Sequence, residues 1–121
     1  MTITNGNDKL IDFRSLGEYI GDNKENHKTF FMLFIEQTNM HLKLLGESIA
    51  KSDYNDISLM AHKIRPVYGT MGIDEGHRLL IQIEELSKSK SDIKEIQNKF
   101  EIFHDLNKQI FNEIKEYLSE S

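Results

Sequence analysis

The segment best placed to do chemistry is Leu59-Met-Ala-His62-Lys-Ile-Arg65-Pro66-Val-Tyr-Gly69-Thr-Met-Gly72. A neutral imidazole is a nucleophile near neutral pH, so His62 is the first residue to place. Ile57, Ala61, Ile64 and Tyr68 recur at helical spacing and predict a helix with those side chains turned inward. His62 then stands about 100° round from Ala61, on the outer surface. Its neighbours on that stripe are Ser58 and Leu59 one turn before, Arg65 and Pro66 one turn after, and Gly69 two turns after. Lys63 and Arg65 supply cations able to hold a phosphoryl group, Arg65 on the histidine's own face. Some of these positions have an equally plain structural reading. Lys63 also reads as solubilising charge, Leu59 as semi-buried packing, and Gly69 as relief of packing against a neighbouring helix.

The remaining histidines offer less. Glu101-Ile-Phe-His104 has the Glu-x-x-His spacing used in di-iron bundles, but no second copy exists and Phe100 and Phe103 occupy the inward line. No metal ligand is therefore assigned. His27, His41 and His77 lack a paired ligand at helical spacing and are expected to be partly exposed or to lie in cap regions.

The elements that must position His62 are all helical, because apolar spacings of three and four recur and alternating strand patterns do not. A short helix is predicted from about Phe13 to Ile20, with Asp12 as N-cap and Gly21 past its end. The second, capped by Asp22 or Asn23, runs to about Lys51 on a stripe of Phe31, Ile35, Thr38, Leu42, Leu45 and Ile49. Ser52-Asp53 breaks it and caps the third, which Gly72 ends. Asp74 is the expected cap of the fourth, with Leu79, Leu80, Ile83 and Leu86 inward. Ser87-Lys-Ser-Lys-Ser91 reads as a solvated polar turn, and Asp92 with Glu95 fits a capping box for the fifth. Short connections favour antiparallel neighbours. The expected fold is all-α, an antiparallel up-down four-helix bundle with a short additional N-terminal helix across one end.

Composition bounds the rest. At 121 residues the chain supports one domain, read as a flexible N-terminal tail over 1–8 and a single helical domain over 9–121. Without cysteine there is no disulfide, thiolate zinc site or cysteine nucleophile. A net charge of −5 argues against nucleic acid as a partner. The longest purely apolar run, Phe30 to Ile35, is six residues, against the ~20 a bilayer requires. The first eight residues lack a signal peptide's basic and apolar regions, so a cytoplasmic protein without membrane association is expected.

The His62 segment resembles the phosphorylation motif of histidine phosphotransfer (HPt) domains, Ala-His-x-Leu-Lys-Gly-Ser with a further glycine ten residues after the histidine. Ala61-His62 match, Ile64 takes the apolar position, Arg65 the basic one, and Gly72 the tenth. The resemblance extends over nearly the whole chain through helix order and length. Pro66 and Val67 depart from the motif's glycine and serine. Pro66 cannot donate to the carbonyl of His62, so a local kink is expected there rather than a broken helix. The resemblance implies a phosphocarrier in a two-component phosphorelay. His62 would take a phosphoryl group from the aspartate of one receiver domain and pass it to another. The partners implied are receiver domains of hybrid sensor histidine kinases and response regulators; a net-negative bundle with a transient docking face needs no dimer, so a monomer is expected. It implies no ATP-dependent activity and no cofactor of its own, the magnesium belonging to the receiver. An alternative is an interaction module that docks receiver or kinase domains without being phosphorylated. A metallo-bundle enzyme is the third reading, and the missing second Glu-x-x-His argues against it.

Overall fold

A computed structural model describes residues 10–120, the Ser15 side chain excepted, as five α-helices and no strand. They are α1 (Phe13–Ile20), α2 (Lys24–Ala50), α3 (Tyr54–Thr70), α4 (Asp74–Lys88) and α5 (Ile93–Ser119). The expected tail over 1–8 lies outside the described residues. Each long helix starts where a short polar side chain can satisfy its free N–H groups. Asn23 accepts from Glu25 and Asn26, Asp53 from Asp56, and Asp92 from Lys94. Helix α4 is the exception. Ile73, not Asp74, is its N-cap and makes no side-chain cap bond, while Asp74 and Glu75 sit inside the first turn. There their charge complements the helix dipole without capping it.

The three turns from α2 to α5 share one device. A single left-handed residue, Ser52, Gly72 or Lys90, is followed by a backbone bond from Asp53 to Ser48, Ile73 to Tyr68, or Ser91 to Leu86. Only Gly72 has a steric reason to be glycine as well as a conformational one. A Cβ there would lie 2.5 Å from the Cβ of Asp12, whose N–H donates to Met71. Gly72→Ala should therefore cost about 2 kcal/mol or more, whereas Lys90→Gly, exposed and in the same left-handed region, should gain about 0.5–1 kcal/mol. Urea unfolding of the two variants checks both signs.

Helix α3 packs most extensively on α4, and α2, α3, α4 and α5 each pack on two of the others while α1 lies against α3. Tyr68 occupies the centre. Its ring lies 5.7 Å from that of Phe34 and 5.2 Å from that of Phe103, and its hydroxyl donates to Asn107 Oδ1 at 2.5 Å. Burial pushes this phenol above the usual tyrosine range, against the opposing pull of hydrogen bonds to Thr38 and Asn107. Gly76 lets α4 approach it, since a Cβ there would be 2.6 Å from the Tyr68 ring. The centre that α3 turns inward is thus closely packed, which fixes the rotation of α3 and of the residues on its other face. Among the described residues, no helix is long and apolar enough to cross a membrane.

One histidine expected in a cap region lies there and is buried as well. His27, in the first turn of α2, is buried. Its Nε2 lies 2.5 Å from the Gly21 carbonyl oxygen, which only accepts, so Nε2 carries the proton and Nδ1 accepts from Tyr117 at 2.6 Å. Two satisfied nitrogens and stacking on Tyr117 explain how it is buried without a charge partner.

Candidate site around His62

Helix α3 runs unbroken through Pro66, which is exposed, so the missing N–H falls where water can reach the freed carbonyl. Ala61 and Ile64 are buried, and His62, turned away from them, keeps 62% of its side chain exposed. Its Nδ1 lies 3.1 Å from Oε2 of Glu84 on α4. The other carboxylate oxygen of Glu84 accepts from Arg65 Nη1 at 2.9 Å, and Oε2 also accepts from Lys88 Nζ at 3.0 Å. Glu84 has 6% of its side chain exposed. Burial would raise its pKa. The hydrogen bond from Lys88 and the charges of Arg65, Lys88 and His62 outweigh that and hold the carboxyl below its usual range.

The consequence for the imidazole is definite. An ionised carboxylate only accepts, so Nδ1 of His62 carries a proton, and in the neutral ring Nε2 is the nitrogen that holds the lone pair. This is the opposite tautomer to that of His27. A buried negative charge fixes the ring and can stabilise positive charge that develops on it when Nε2 attacks an electrophile.

Of the residues singled out by spacing, His62 and Arg65 are brought together, both on Glu84. Lys63 is exposed and is not among the groups on Glu84. Its charge acts on His41 of α2, whose pKa is lowered by partial burial and then by Lys63. Leu59, Pro66 and Gly69 are exposed, and a Cβ on Gly69 would lie 3.6 Å from the His77 ring, an ordinary contact. Ser58 is a correction: expected on the outer stripe, it is buried. Helix α3 packs more extensively on α4 than on any other helix, and Ser58 is among the α3 residues that packing in the fold buries. It is not available to a docking partner.

Glu84 and Lys88 were not singled out from sequence, although one of them left a signal. Glu84 falls on the inward stripe of α4 with Gly76, Leu79, Leu80, Ile83 and Ser87, where a charged residue is out of place unless paired. Ser87 and Lys88 belong to the last turn of α4 and not to the polar turn after it, Ser87 being buried with its hydroxyl on Ile83.

The charge of Glu84 makes a testable contribution to stability. Its folded-state pKa is depressed, so the stabilisation is present above the ordinary carboxylate range and is lost as pH falls through the folded value. Wild type should exceed Glu84→Gln by about 1–3 kcal/mol near neutrality, and the gap should close on acidification. Urea unfolding across that pH range measures it; a gap constant with pH would reject the ionised pair.

Among the described residues, no group of three or more His, Asp or Glu could hold a metal ion. No protein-family model, curated protein or solved structure matches the chain.

Proposed function

We propose that this chain is a phosphocarrier of the histidine phosphotransfer type, with His62 as phosphoacceptor. One observation carries the reading. An exposed imidazole has its Nδ1 proton held by a buried carboxylate and a guanidinium on the same carboxylate, leaving Nε2 free. Attack of Nε2 on the aspartyl phosphate of a receiver domain forms the N–P bond as the P–O bond breaks, and aspartate leaves as a carboxylate. No proton has to move, because Nδ1 keeps its own. Glu84 balances the positive charge the ring acquires, and Arg65 lies beside the arriving phosphoryl oxygens. The chain supplies no nucleotide loop of the Walker type, and magnesium would come with the receiver.

In this reading α2–α5 form the antiparallel up-down four-helix bundle, α1 packs across one end, and 9–121 act as one monomeric domain. A receiver docks over the exposed face that carries Leu59, Pro66 and Gly69. Helix α2 packs on α3, and its Met40 and Leu44 are exposed apolar residues. That apolar surface also suits the second reading, a module that docks receivers without accepting phosphate, in which Pro66 and Val67 mark lost transfer.

Incubation with a receiver domain preloaded with phosphoryl groups tests the proposal. Acid-labile, alkali-stable phosphate on the chain supports it. Binding to several receivers without any adduct favours the docking module.

A further inference from the structure

Glu84 faces more positive charge than it needs. Two permanent cations, Arg65 and Lys88, and the Nδ1–H of His62 all converge on one carboxylate. A Glu–Lys pair four residues apart on a helix is ordinarily a surface pair of small effect. Here the glutamate is buried and turned toward α3, so Lys88 reaches back across the helix surface to the site. Contacts of 3.0 and 3.1 Å on the same oxygen place its ammonium beside the His62 ring. Arg65 has 30% of its side chain exposed and is held more closely, whereas Lys88, at 66%, sits on a flexible stem. Lys63, next to His62 in sequence, is not among the groups held on Glu84.

Resting on the phosphocarrier reading, the geometry points to Lys88 as the second phosphoryl-positioning cation of the site, stored on Glu84 until His62 is phosphorylated and then shared with the phosphoryl oxygens. A phosphoryl group on Nε2 carries more negative charge than the single carboxylate that holds Lys88 beforehand. Glu84 keeps the Nδ1–H of His62 throughout, so the ring does not turn when the lysine changes partner. Arg65 and Lys88 then flank the group from the two helices that carry the site.

Phosphoramidate tests this without any partner protein. Nε2 of His62 bonds to phosphorus as the P–N bond breaks, and the nitrogen, already protonated in neutral water, leaves as ammonia. Wild type should be labelled on His62 at a rate that falls with ionic strength. Lys88→Gln should be labelled about tenfold more slowly, with a flatter salt dependence. Lys88→Arg should recover most of the rate, and Lys108→Gln, at an exposed lysine of α5 outside the site, should stay within about twofold of wild type. Wild-type rate and salt dependence in Lys88→Gln would overturn the inference. So would a slow Lys88→Gln protein whose His62 ¹⁵N shifts have left the Nδ1–H form, since the lysine would then act only by holding Glu84. If wild type itself takes no label on His62, the phosphoacceptor reading falls and this inference with it.

Discussion

His62→Gln is expected to abolish phosphoryl acceptance from a preloaded receiver while moving the melting temperature by no more than about 3 °C. The reason lies in what the imidazole touches. Most of its side chain is in solvent and its partner is Glu84, which retains Arg65 and Lys88 when the ring is gone. A glutamine amide can still donate to that carboxylate, so no buried charge is left unpaired. What disappears is the Nε2 lone pair, and no other group on the site is a nucleophile of that kind. Intact mass and acid lability read the loss, and thermal unfolding reads the control. Receiver binding should survive, because Leu59, Pro66 and Gly69 are untouched. Label persisting on the variant would move the phosphoacceptor to another histidine. His77 would be the first to test, since its ring lies against Gly69, two turns along the His62 face. A fall of many degrees would mean that the ring carries fold stability and is no free nucleophile.

How much of this was legible in the sequence differs between fold and site. Helix ends followed from local chemistry, because Asn23, Asp53, Asp92 and Gly72 act within one turn of where they stand. Asp74 misled because an acid in the first turn and an acid at the cap look alike until backbone angles are known. His62's exposure followed from the inward line of Ile57, Ala61, Ile64 and Tyr68, a purely periodic argument. Ser58 failed on the same argument, because periodicity gives the direction of a side chain but not how closely the next helix approaches it. Glu84 was harder still. Its place on the inward stripe of α4 marks it as paired, but which side chains pair with it depends on how α3 and α4 lie together. A motif confined to one helix does not carry that information. The burial of His27 was not legible for a similar reason: its two partners, Gly21 and Tyr117, come from opposite ends of the chain.

The same dependence of site on packing makes Phe103→Ala the stability prediction of largest size, an expected loss of about 3–5 kcal/mol. Phe103 on α5 is 1% exposed, and its ring lies 5.2 Å from that of Tyr68, the residue that seats α3. Removing it opens a cavity beside a phenol whose hydroxyl is tied to Asn107, so Tyr68 is not free to fill the space. Ile102, one residue earlier and 47% exposed, is the internal control. Truncating it to alanine should cost no more than about 0.5 kcal/mol. Urea unfolding of the pair therefore tests the rotation of α5 directly, and two similar losses would show it to be wrong. The loss at Phe103 should leave chemistry intact wherever the protein remains folded. The contacts that orient His62 run to Glu84 on α4, and none passes through Phe103. Phosphoramidate labelling of Phe103→Ala well below its melting temperature should proceed at close to the wild-type rate. A large drop in labelling without unfolding would mean that the seat of Tyr68 sets the α3–α4 register more tightly than the Glu84 contacts do.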